Sequence, residues 1–266
     1  MTPFALTLSH VARERLQNFV EVFFILFVLV TFVCVASYTV KQLRTGRLFR
    51  SEGGPPRLAM RPLLGWLFVV SVVGLVYLQS PLYAMVVLFG IAVALAQSRR
   101  TVTSQFGFDR ASPVKALTWG LLVFGAVMLV EAPLFGAWGW ILDVCRVPHP
   151  EQESVETFRQ INEPSLIFDF LVYAALIAPV IEELFFRGFL MGFLKNHMSA
   201  WPAIVLSGGI FAIAHFNIGA VVPLWFLGVV LGVAYEHTGC LVVPIVIHGC
   251  FNLATGLSVL LDKGNP

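Results

Sequence analysis

Long apolar runs recur along this chain, at 19–40, 62–79, 82–97, 116–135, 166–194, 201–215, 220–235 and 241–261. Each reads as a membrane-spanning helix, the shorter ones falling slightly below the ~20 residues that a bilayer core asks for. The pattern predicts an all-α, polytopic integral membrane protein of about eight transmembrane helices. Residues 1–18 are mixed and suit a short interfacial helix. Arg13 and Arg15 precede an apolar run too long for a signal-peptide core, so that run is expected to be the first span. Turns sit between the runs, Gly53-Gly54-Pro55-Pro56 in the first loop and Ser80-Pro81 between the second and third spans. The run at 166–194 exceeds what a ~30 Å core needs, so it must tilt, protrude or kink at Pro179. Three parts follow: an interfacial segment 1–18, a first set of helices and loops at 19–165, and a later core at 166–266.

Small residues concentrate in that later core. Gly188 and Gly192, Gly208 and Gly209, and Gly228 and Gly232 have the spacing that lets helix backbones approach closely. Composition agrees with the membrane reading: 58% of residues are hydrophobic, 12% are charged, and the mean hydropathy is +0.85. A soluble domain carries about twice that share of charge. No basic tract interleaved with aromatics points to nucleic acid. Cys34, Cys145, Cys240 and Cys250 form no metal knuckle or disulfide framework. Charge does matter locally. The 41–61 and 98–115 loops are basic, while 136–165 is acidic and is expected to be a connection with a surface helix bearing Trp138 and Trp140 at the interface. Glu131 and Asp169 are expected near the interface.

The polar residues inside the late runs are the unusual ones. Glu182 and Glu183 sit side by side in an apolar helix, where a charge costs at least about 2.5–3.5 kcal/mol. Arg187 lies one turn beyond Glu183, on its face, and the two can pair. Glu182 points about 100° away and has no partner at helical spacing. His215 ends the next run. His248 and Asn252 share one face of the last run. Taken singly these have ordinary explanations: a satisfied core histidine, an interhelical amide bond, a structural ion pair. Taken together, three segments each bring one polar cluster to a common cavity.

Such a set can add water to an amide bond. A carboxylate in an apolar pocket serves as general base, an imidazole beside it shares the water, and an imidazole and an amide can stabilise an oxyanion. The rival hydrolytic signatures are missing: no HExxH, no GxSxG and no intramembrane pair of aspartates. Two histidines and a glutamate could also bind zinc.

Glu182-Glu183-x-x-x-Arg187, Phe211-x-x-x-His215 and His248-x-x-x-Asn252 together resemble the three motifs of the CAAX prenyl protease 2 and bacteriocin-processing (CPBP, or ABI) family, over about residues 166–261. The resemblance implies a helical intramembrane endopeptidase. Glu182 would be the base, aided by His215; His248 and Asn252 would form the oxyanion site; Glu183 and Arg187 would be supporting residues that hold the helix and orient the acid. It implies glutamate-type hydrolysis with no required cofactor or metal, although family members were long called metalloproteases. The partners it implies are membrane lipid and a membrane-associated peptide or protein substrate, lipidated in the eukaryotic members. The short chain and minimal loops read as a prokaryotic cell-membrane protein. Two other readings stand beside it: a zinc enzyme using Glu182, Glu183, His215 and His248, and a non-catalytic immunity or scaffold protein. A transporter is a weaker third.

Orientation follows from the basic loops, which should face the cytoplasm. Single-cysteine variants at Ser51 and Thr103 should resist an impermeant thiol reagent applied outside intact cells. Rapid labelling would reverse the assignment.

Overall fold

The computed structural model describes residues 82–98 and 101–263, together with residues 55, 65, 68, 69, 71 and 72. The segment 1–18, the span 19–40, most of the loop 41–61 and most of the span 62–79 lie outside the described residues. All regular structure among the described residues is helical. In chain order the helices are α1 (Leu82–Ser98), α2 (Val102–Phe106), α3 (Pro113–Val144), α4 (Glu153–Gln160), α5 (Pro164–Leu194), α6 (Ala200–Ile213), α7 (Val221–Thr238) and α8 (Val242–Lys263). Helices α3, α5, α7 and α8 are long and apolar enough to cross a membrane.

Local chemistry sets several ends. Ser112 accepts a hydrogen bond from the Lys115 N–H, and Pro113 follows at the first position of α3. Thr101 caps α2 in the same way, through the Ser104 N–H. Helix α2 lies in the basic 98–115 segment read as a loop. It docks on the α7–α8 turn, where the Leu241 N–H donates to the Phe106 carbonyl. The left-handed Gly107, at φ 68°, allows that approach.

Helix α3 runs past the expected end at residue 135 and continues to Val144. Pro133, Gly136 and Gly139 read as breakers in water. The helix nevertheless continues through all three. Trp138 therefore belongs to α3 rather than to a separate surface helix, and its indole N–H donates to the Ile218 carbonyl 2.8 Å away. The helix that the 145–163 connection does contain is α4. Glu131 is 2% exposed, on a helix packed against α8 and α7.

The tightest packing is between α6 and α7. A Cβ on Gly208 would lie 2.9 Å from the Val229 nitrogen, and one on Gly228 would lie 2.8 Å from the Gly208 Cα. Gly232 receives Ile204 one turn further on. At the end where α5 stops, the Lys195 ammonium meets Glu236 of α7 at 2.7 Å, both nearly buried.

Gly228→Leu should destabilise the fold by about 1–3 kcal/mol through overpacking. Gly136→Ala, where no atom lies within 4 Å, should leave the melting temperature unchanged or raise it slightly. Thermal unfolding of both variants in one detergent decides this.

Candidate active site

The two acids occupy a regular stretch of α5, Ala178–Glu183, set between two π-helical turns, Tyr173–Ile177 and Leu184–Met191. Pro179 accounts for the first. It lacks an N–H, and its ring would clash with the carbonyl four residues back. Widening to a five-residue register relieves the clash: the Ala178 N–H reaches the Tyr173 carbonyl. The next bond in that register would run from residue 179 to the Ala174 carbonyl, and proline cannot make it. The Asn252 amide supplies the missing donor, with Nδ2 2.9 Å from the Ala174 oxygen. Helix α8 comes close enough because residue 249 is glycine; a Cβ there would collide with the Ala175 carbonyl oxygen.

Glu183 and Arg187 are fully buried, and Arg187 Nη1 lies 2.7 Å from Glu183 Oε1. The other guanidinium end donates to the Gly228 carbonyl at 2.9 Å. The Phe211 ring covers the guanidinium face at 4.6 Å, a cation–π contact. Glu183 Oε1 also accepts from His248 Nδ1 at 3.0 Å. The sequence reading paired Glu183 with Arg187 alone; the bond to His248 links residues 65 positions apart, which no helical spacing encodes.

Two imidazoles then turn the same nitrogen toward Glu182. His215 Nδ1 is 2.8 Å from the Phe211 carbonyl, so it donates and Nε2 is left over. The same holds for His248, whose Nδ1 is committed to Glu183. The two Nε2 atoms lie 3.9 Å and 3.8 Å from Glu182 Oε2. Both gaps are too long for a direct hydrogen bond. Glu182 Oε2 is buried and has no hydrogen-bond partner. Gaps of that length are the kind that a bridging water spans. A tetrahedral zinc with bonds of ~2.0–2.1 Å would need donors only ~3.3 Å apart. Among the described residues no group of three or more His, Cys, Asp or Glu is arranged to hold a metal ion.

Glu182, His215, His248 and Asn252 line one cavity of about 630 Å³. The short helix α6 brings them level. It spans about 20 Å from Ala200, while Glu182 lies about 18 Å back from the end of α5. No sharp kink is needed, because α6 is only 14 residues long. The turn that follows is non-helical backbone that lines the cavity. Asn217 bonds both the Pro150 carbonyl and the Ala220 N–H, tying the turn down.

Residues 164–254 match the family model for Rce1-like type II CAAX prenyl endopeptidases. That stretch contains all three motifs that resemble the CPBP family. The membrane-embedded CAAX protease MroQ of Staphylococcus aureus (strain USA300) is 28% identical over 204 residues, covering 73% of this chain and 78% of that protein. No solved structure matches the chain. Together with the apolar helices, these similarities support a multi-pass integral membrane protein of protease type.

His149 also lines the cavity and carried no signal at the motif level. Its flanking prolines, Pro148 and Pro150, were the available hint of a stiff segment. His197 and His237 do not reach the cavity.

Breaking a buried pair from one side typically costs about 3–5 kcal/mol. Glu183→Gln and Arg187→Ala should each lose stability on that scale. The double variant should lose less than their sum, because neither partner is then stranded. Melting of the four proteins in detergent tests it; strict additivity would remove the coupling.

Proposed function

We propose that this chain is an intramembrane endopeptidase whose Glu182 and His215 activate water against a peptide bond of a membrane-associated peptide or protein. The observation that carries the reading is the convergence of two anchored imidazoles on one unpartnered carboxylate oxygen inside a substrate-sized cavity. The named relative, a CAAX protease, supports a peptide substrate and leaves room for a lipidated one.

In this reading Glu182 takes a proton from the bound water as its oxygen attacks the carbonyl carbon. The new oxyanion receives hydrogen bonds from His248 Nε2–H and from the second Nδ2–H of Asn252. His248 then carries protons on both nitrogens, since Nδ1–H remains with Glu183. Charge balances: Arg187 and His248 are positive, Glu182 and Glu183 negative. When the carbon–nitrogen bond breaks, the proton held by Glu182 passes to the leaving amine, with His215 alongside to relay it. The products are a carboxylic acid and an amine. Glu183 acts through His248 as a positioning residue. The donor spacing found here is wider than zinc prefers, so the reaction is written without a metal.

Glu182→Gln keeps the shape and removes the base. Cleavage should fall by about 10²–10⁴-fold with melting unchanged. Substrates come from comparing new peptide termini in membranes that hold the wild-type protein or Glu182→Ala. Normal cleavage by Glu182→Gln would overturn the assignment, and retained biological activity would favour a scaffold. Chelator-treated protein should keep most of its activity; loss on stripping with recovery on added zinc would establish the metal-dependent alternative.

A further inference from the structure

The cavity is elongated, and its two long walls are helical rows. On α5, Phe170, Ala174, Ala178 and Glu182 line it at successive turns. On α8, His248, Asn252, Gly256 and Val259 do the same. At ~1.5 Å per residue each row runs about 16–18 Å from the acid to its far end. That length matches about five residues of extended peptide at ~3.3 Å each.

The far end is closed by Phe158 of α4. Its ring stacks on Phe170 with centroids 4.4 Å apart and is 1% exposed. Gly256 lies beside it, and a Cβ there would touch the Phe158 ring at 3.8 Å and collide with the Leu171 side chain at 2.6 Å. Lys263, the last residue of α8, holds α4 in place. Its ammonium donates to the Phe158 and Ile161 carbonyls at 2.6 and 2.7 Å and sits 5.3 Å from the Phe158 ring centre. Arg159 pairs with Glu151 at 2.9 Å and ties α4 to the segment before it. Phe158 and Lys263 both fall outside the 164–254 match.

We propose that Phe158 is a specificity-determining residue: it ends a groove that begins at Glu182, and so limits how far an extended peptide reaches on one side of the cleaved bond. Lys263 is the positioning residue that keeps it there. The proposal rests on the endopeptidase reading above. It selects for size at a distance from the chemistry, so Phe158 touches neither the reacting carbonyl nor the water.

The test uses the full chain in detergent and a quenched-fluorescence library of apolar decapeptides in which one tryptophan is moved along the sequence. Cleavage positions are read by mass spectrometry. Wild-type protein should cut poorly, by about tenfold or more, when tryptophan lies about five residues from the cleaved bond on one side. Phe158→Ala should restore that peptide selectively, and Phe158→Trp should extend the penalty to the position one nearer. Phe158→Leu and Lys263→Met leave most of the packing intact and should shift the profile in the same direction as Phe158→Ala. Identical tryptophan profiles in wild type and all variants would overturn the proposal while leaving the peptidase reading intact. A wild-type protein that cuts no library member would defeat the peptidase reading, and this proposal with it.

Discussion

A buried guanidinium holds the centre of this molecule together. Arg187 has no exposed surface, and a charge in that setting persists only where its surroundings are arranged to receive it. Each partner comes from a different place: Glu183 one turn back, the Gly228 carbonyl on α7 and the Phe211 ring on α6. The Gly208–Gly228 approach then has a second use. By letting α6 and α7 touch at the backbone, it sets Gly228 at a fixed depth, where its carbonyl meets Nη2. The same carboxylate oxygen that neutralises Arg187 holds His248. The position of the imidazole facing Glu182 is thus tied to the packing of three helices.

Much of this was legible in the sequence because it is local. The Glu183–Arg187 pair follows from helical spacing, and the late glycines follow from their four-residue period. The boundaries of α5 to α8 follow from uninterrupted apolar runs. What was not legible depends on lipid or on distance along the chain. Gly136 and Gly139 look like a loop only if water is present to satisfy the backbone. The 65-residue link from Glu183 to His248 has no periodic signature. Glu131 sits near the end of an apolar run, where the sequence carries no sign that other helices cover it. Its burial arises from helix α3 continuing past it and packing against α7 and α8.

Asn252 shows how one residue can serve two levels. Its amide completes a helix that Pro179 interrupts, which explains on structural grounds why a donor is needed on that face of α8. One amide hydrogen is used there and another remains. A side chain pinned by its first hydrogen presents the second in a fixed direction, which is what oxyanion stabilisation requires of a donor. The π-turn, the proline and the asparagine are therefore one device. Removing the proline would restore an ordinary helical register and release the amide, so a change that improves the helix should degrade the site.

The two ends of the cavity are built by different elements. The end at Glu182 is built from α5, α6 and α8, within residues 164–254. The other end is built from α4 and the last residue of α8, outside that region. If the Glu182 end activates water as proposed, it is constrained to sub-ångström geometry, whereas a wall that only limits size tolerates many solutions. The separation of about 16–18 Å between them is what makes the division physically workable. A substitution at Phe158 can change what fits without moving Glu182, because sites more than 7–10 Å apart with no shared partner behave almost independently. Lys263 then acts on the chemistry only through α4. It grips that helix by two backbone carbonyls, so its hold survives replacement of the Phe158 side chain that it covers.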